Sequence, residues 1–102
     1  MKAATFSRAA RQDILEAYQW IFKENPSAAQ AFRRSLERMA WQLGEFPHCG
    51  QERLDWLPAP YRFFSLSAFR YWIVYNPSPA PPVVLRVLHG ARDLSGLLDG
   101  ME

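Results

Sequence analysis

The side chains best suited to chemistry crowd into the second half of this sequence. Residues 56–92 carry Arg62, Arg70, Arg86 and Arg92 and no acidic residue, while residues 93–102 carry Asp93, Asp99 and Glu102 and no base. The first of these segments is thus +4 and the second −3, against eight basic and seven acidic residues in 1–55. A local cationic field suits an anionic partner such as a nucleic acid or an acidic peptide. Ten of the twelve basic residues are arginine, whose fork suits bidentate contact. A genome rich in arginine codons would explain that choice too, but it explains the segregation of charge less well. His89 lies among these cations, where it could move a proton or simply bond to a turn. His48 and Cys49 are adjacent with no second such pair nearby, so no metal site is expected. Sequence neighbours do not readily give the apposition that a catalytic Cys–His pair needs.

These residues need elements to hold them. Val83-Val84-Leu85-Arg86-Val87-Leu88 is β-branched and Leu-rich and reads as a central strand ending at His89-Gly90. Strict alternation puts Val83, Leu85 and Val87 toward the core, and Val84, Arg86 and Leu88 on a face open to solvent or a partner. Tyr61–Leu66 and Arg70–Tyr75 are two more strands, joined by the short turn Ser67-Ala68-Phe69. In the second, Arg70, Trp72 and Val74 share a face. Asn76–Pro82 is a stiff proline-rich connection into the last strand.

The first half reads as two helices. Ser7 can cap a helix whose apolar face is Ala10, Ile14, Ala17, Tyr18, Ile21 and Phe22. It stops near Asn25-Pro26, because the residue before proline avoids the helical region. Ser27 can cap a second helix with Ala29, Phe32, Leu36, Met39 or Ala40, and Leu43 inward, and with Gly44 as its stop. Arg33, Arg34 and Arg38 then fall on a solvated outer face. Residues 45–60 are an aperiodic connector. The predicted helices are 8–23 and 27–44. The predicted strands are 2–6, 61–66, 70–76 and 83–89, all in one sheet. The fold class is α+β, in the order β-α-α-β-β-β. An N-terminal helix hairpin packs on one face of a small, mainly antiparallel twisted sheet, and the other face is left uncovered by the chain.

At 102 residues the chain is expected to form one domain over 1–102. A hydrophobic content of 49% with four tryptophans argues for an ordered globule. One cysteine, Cys49, allows no intrachain disulfide. The N-terminus has no apolar signal core, and no run approaches the roughly 18 apolar residues of a membrane span. A cytoplasmic location is expected, with no membrane partner.

Four stretches together resemble the RelE/ParE toxins of bacterial type II toxin–antitoxin modules, over nearly the whole length. They are Ala10-Arg-Gln-Asp-Ile-Leu-Glu-Ala-Tyr-Gln-Trp-Ile21, Pro47-His-Cys-Gly50, Arg62 with Tyr71-Trp-Ile-Val-Tyr75, and Leu85-Arg-Val-Leu-His-Gly-Ala-Arg-Asp93. The last is most similar to the ParE branch. The resemblance implies the small α+β toxin fold and an antitoxin whose C-terminal segment wraps the toxin. It also implies one of two activities. ParE-like members poison DNA gyrase, which asks no catalytic residue of the chain. RelE-like members cut mRNA in the ribosome, and the catalytic set would then be Arg62, Arg70, Arg86 and His89. The lysine set and terminal tyrosine of RelE-like nucleases have no counterpart here, since Lys2 and Lys23 are the only lysines and no tyrosine follows Tyr75. The gyrase-directed reading is therefore preferred, with a member that only binds its antitoxin as a further alternative. The expected partner surface is Arg62, Arg70, Trp72, Arg86, Leu88, His89 and Arg92, with no cofactor and no metal.

Overall fold

The computed structural model describes residues 2–90, so the expectations for Arg92 and for the acidic close lie outside the described residues. Ser7 caps α1 (Arg8–Glu24) by accepting from the Ala10 amide at 3.1 Å. Asn25 serves both helices. Its N–H donates to Ile21 O, and its side chain accepts from the Ala28 amide at the head of α2 (Pro26–Glu45). The cap is therefore Asn25 and not Ser27. Proline at the first helical position loses no bond, because that amide would be unsatisfied anyway.

One sheet follows. It contains β1 (Thr5–Phe6), β2 (Arg62–Leu66), β3 (Tyr71–Asn76) and β4 (Val83–His89) in the spatial order β1-β4-β3-β2. The pairs β2–β3 and β3–β4 are antiparallel, and β1 lies parallel to β4. The first strand is only two residues long. The Ala4 amide turns away from the sheet and donates to Ala40 O of α2 at 2.8 Å. The residues before it cross α2 so closely at Gly44 that a Cβ there would overlap the Lys2 carbonyl. Gly44 thus lies inside the helix as a crossing point and does not end it.

The alternation expected for β4 breaks at a bulge. Val74 pairs with Arg86 but Tyr75 pairs with Val84, which leaves Leu85 extra. An extra residue exchanges the faces of what precedes it. Val84 and Val87, three apart, therefore both enter the helix-side core, whereas Val83 and Leu85 are only half-buried. That core joins Phe32, Leu36, Met39 and Leu43 of α2 to Tyr71, Ile73 and Tyr75 of β3, with Ala10 and Ala17 of α1 fitting beneath. Phe22, expected inward, is 46% exposed and stacks on Tyr18 at 5.9 Å.

The far face of the sheet is not bare, contrary to expectation. Residues 51–57 of the connector fold back over it. Gln51 and Phe63 exchange two backbone hydrogen bonds of 2.8 Å. Trp56 stands edge-on to Phe63 and Trp72, with centroids 5.0 and 5.3 Å apart. Arg53 stacks on the same indole at 3.7 Å. Leu57, Phe63, Val74 and Leu88 form a second small core under this cover.

Candidate partner-binding site

The arginines of the sheet differ in what holds them. The fork of Arg86 meets the carboxylate of Asp13 on α1, with Nε–Oδ2 at 2.8 Å and Nη2–Oδ1 at 3.1 Å. The same Oδ2 accepts the Val87 amide at 2.9 Å. This pair works on the sheet edge. Beyond its two bridges to β1, β4 has no strand on that side among the described residues, and α1 takes the place of one. Ser7 donates its amide to Val84 O and its hydroxyl to Leu85 O, both at 2.9 Å, and Asp13 completes the row at Val87. An unpaired edge is a template for association, and α1 closes part of this one.

Arg62 belongs to a different structure at the other end of the sheet. Its Nη1 donates to Gly50 O at 2.8 Å and to His48 O at 3.3 Å, and its Nη2 lies 3.5 Å from Glu52. Tyr75 holds the same loop from inside. Its hydroxyl donates to Pro47 O at 2.7 Å and accepts from the Gly50 amide at 2.9 Å. Gly50 permits this approach, since a Cβ there would lie 2.6 Å from the hydroxyl oxygen. Burial pushes the Tyr75 phenol up to about 12, with the Gly50 amide pulling the other way. The motif Pro47-His-Cys-Gly50 is thus a loop clamped by Tyr75 and Arg62.

Arg70 does not continue β3. It closes the 3₁₀ turn Ser67–Phe69 in the left-handed region, with φ 60 and ψ 35, and its side chain is exposed. It therefore does not share the face of Trp72 and Val74. Trp72 is half-buried against Trp56. Leu88 is 4% exposed beneath the connector and presents no surface. His89 turns to the opposite, helix-side face, where its ring meets Tyr71 edge-on at 5.3 Å.

The residues singled out from sequence are therefore dispersed. Pairing sets Arg62 beside Tyr75, and His89 beside Tyr71, four residues earlier in β3. At a strand rise of about 3.3 Å per residue, these rows are about 13 Å apart. Arg70 is the arginine on the His89 side. Sequence reasoning missed Asp13, Ser7 and Tyr75 as the groups that order this surface. The available signal was Asp13 itself, an acid beside the inward residues Ala10, Ile14 and Ala17.

Grooves flank the sheet. One of about 470 Å³ runs between the N-terminal segment and α2, with Ala3, Ala4, Phe6, Ile14, Leu36 and Ala40 lining it and Arg33, Glu37 and Trp41 at α2. No group of three His, Cys, Asp or Glu side chains among the described residues could hold a metal ion. No helix among them is long and apolar enough to cross a membrane. Residues 4–94 match the family described as ParE toxin of type II toxin–antitoxin system, parDE. No curated protein matches the chain.

Proposed function

The chain belongs to the ParE toxin family of type II toxin–antitoxin systems, and from that premise we propose that it arrests growth in the cytoplasm by binding and poisoning DNA gyrase. The observation that carries this choice of activity is the engagement of the sheet arginines. Cutting RNA at a 2′-hydroxyl needs an acid, a base and cations converging on one phosphate. Arg62 donates to loop carbonyls and Arg86 to Asp13, and Arg62 lies a sheet length from His89. A surface that binds a protein asks for no such convergence.

The neutralising partner is an antitoxin, as the module implies. We propose that its acidic, amphipathic segment lies in the groove between the N-terminal segment and α2, by helix-in-groove docking. The apolar lining suits the segment's apolar face, and at its margin Arg33, 3.7 Å from Glu37 in an exposed pair, can turn to an acidic partner. Supercoiling by purified gyrase, measured beside translation-coupled mRNA cleavage, tests the activity. Inhibited supercoiling with trapped DNA breaks and intact mRNA is the expected result. Intact DNA with mRNA cut at ribosome-bound codons, abolished by His89→Gln, would establish the RelE-like alternative instead.

A further inference from the structure

Arg70 is the only described residue with a positive φ. That region suits glycine and, after it, asparagine, because a Cβ crowds the backbone there. The backbone has its own reason for the conformation. The Arg70 amide donates to Ser67 O at 3.2 Å, and its carbonyl accepts from the Gly90 amide at 2.9 Å, tying the turn to the end of β4. Neither bond needs an arginine side chain. The guanidinium is exposed and has no hydrogen bond or ion pair among the described residues, unlike those of Arg62 and Arg86. Its frame is stiff. Phe69 before it packs edge-on to Phe32 at 5.3 Å, and Tyr71 after it is buried.

We propose that Arg70 is the specificity-determining contact with the toxic target, presenting its fork from a rigid turn to a carboxylate of that protein. This rests on the reading that the chain acts by binding a protein target. A single guanidinium carried on a fixed backbone turn can meet a single carboxylate bidentately. A nucleic-acid strand carries a phosphate every few ångströms and asks for a row of free cations. The other two described arginines of the sheet half have internal acceptors, which favours the protein.

The test sets stability against toxicity. Arg70→Asn and Arg70→Gly suit the left-handed turn better than arginine, so both should melt no lower than the parent. The inducer dose for half-maximal growth arrest should rise about tenfold or more, as expected for a lost charge-assisted contact. Arg70→Lys keeps the strain and the charge but not the fork, and should restore part of the arrest. Unchanged arrest in the Asn and Gly variants would overturn the proposal. So would arrest lost in step with a lower melting temperature, or a wild-type chain that arrests nothing. Retention of the wild-type chain on duplex DNA alone, abolished in Arg70→Asn, would assign the contact to phosphate instead. Growth arrest does not presuppose the target. Arrest that needs Arg70 while gyrase supercoiling is untouched would therefore refute the gyrase reading and leave the Arg70 contact standing.

Discussion

Tyr75 shows how much one hydroxyl can organise. It is fully buried, and its oxygen serves Pro47 and Gly50 at once. Tyr75→Phe strands the Gly50 amide and the Pro47 carbonyl, a loss of about 1–3 kcal/mol. For a chain of this size that lowers the melting temperature by about 4–8 °C for each kcal/mol, which calorimetry would read. The same residue sets an alkaline limit. Its folded pKa of about 12 lies above the ordinary phenol value of 10.0, so the unfolded chain gives up this proton first. The stabilisation is complete below about pH 10 and is lost as pH rises toward 12. Denaturant midpoints of the parent should fall across that window more steeply than those of Tyr75→Phe. Asp13 gives a second test. Asp13→Asn keeps an acceptor for the Val87 amide but removes the charge that holds Arg86 in a partly buried site. A loss of about 1–3 kcal/mol is expected, with the protection of the Val87 amide largely kept in hydrogen exchange and lost in Asp13→Ala. Residue types were legible here and partnerships were not. An arginine between two apolar residues signals that something must satisfy it, but Asp13 lies 73 positions away.

Among the elements, both helices could be read almost to their ends because their period is local and each has a capping residue within reach. The strands could be read as far as their composition goes. What escaped was set by contacts between elements. The bulge at Leu85 depends on the register of β3 against β4, and it decides that Val84 and not Val83 is core. The length of β1 depends on the Ala4 bond to α2. Arg70 reads as strand by position, but the turn closes on it. Gly44 gives the sharpest test of the difference. An exposed mid-helix glycine replaced by alanine normally gains about 1 kcal/mol of stability. Here the new Cβ would meet backbone, the Lys2 carbonyl, which cannot rotate away. Gly44→Ala should therefore lower the melting temperature and release the protection of the Ala4 amide in hydrogen exchange. A gain in stability would mean that the N-terminal crossing is loose.

At the scale of the whole molecule, the sheet is covered on both sides, and the second cover comes from a segment with no periodicity to announce it. Sequence reading treated residues 45–60 as a passage between halves and left the far face open for a partner. In the fold they extend the β2 edge through Gln51 and lay Trp56 across Phe63 and Trp72. This changes what the charge of the sheet half can do. Arg62 and Arg86 are structural fasteners, so replacing either by Glu would damage the fold before it reported on a partner, and Arg86→Glu would set a carboxylate against Asp13. The cover itself can be tested. The second core is small, with four buried residues, and Trp56 bridges its two aromatic neighbours while Arg53 stacks on its outer side. Trp56→Ala removes the largest ring of that cover, and truncations of this kind cost about 3–5 kcal/mol in a full core. At a half-buried site nearer 2 kcal/mol is expected. The helix-side core does not include Trp56, so the hairpin and the ladder between β3 and β4 should keep their protection. Amides of the connector and the outer edge of β2 should exchange faster, and Trp72 fluorescence should shift toward that of a solvated indole. Loss of protection across the whole sheet would instead show that the two cores unfold as one unit and that the connector is as much a part of the fold as the helices.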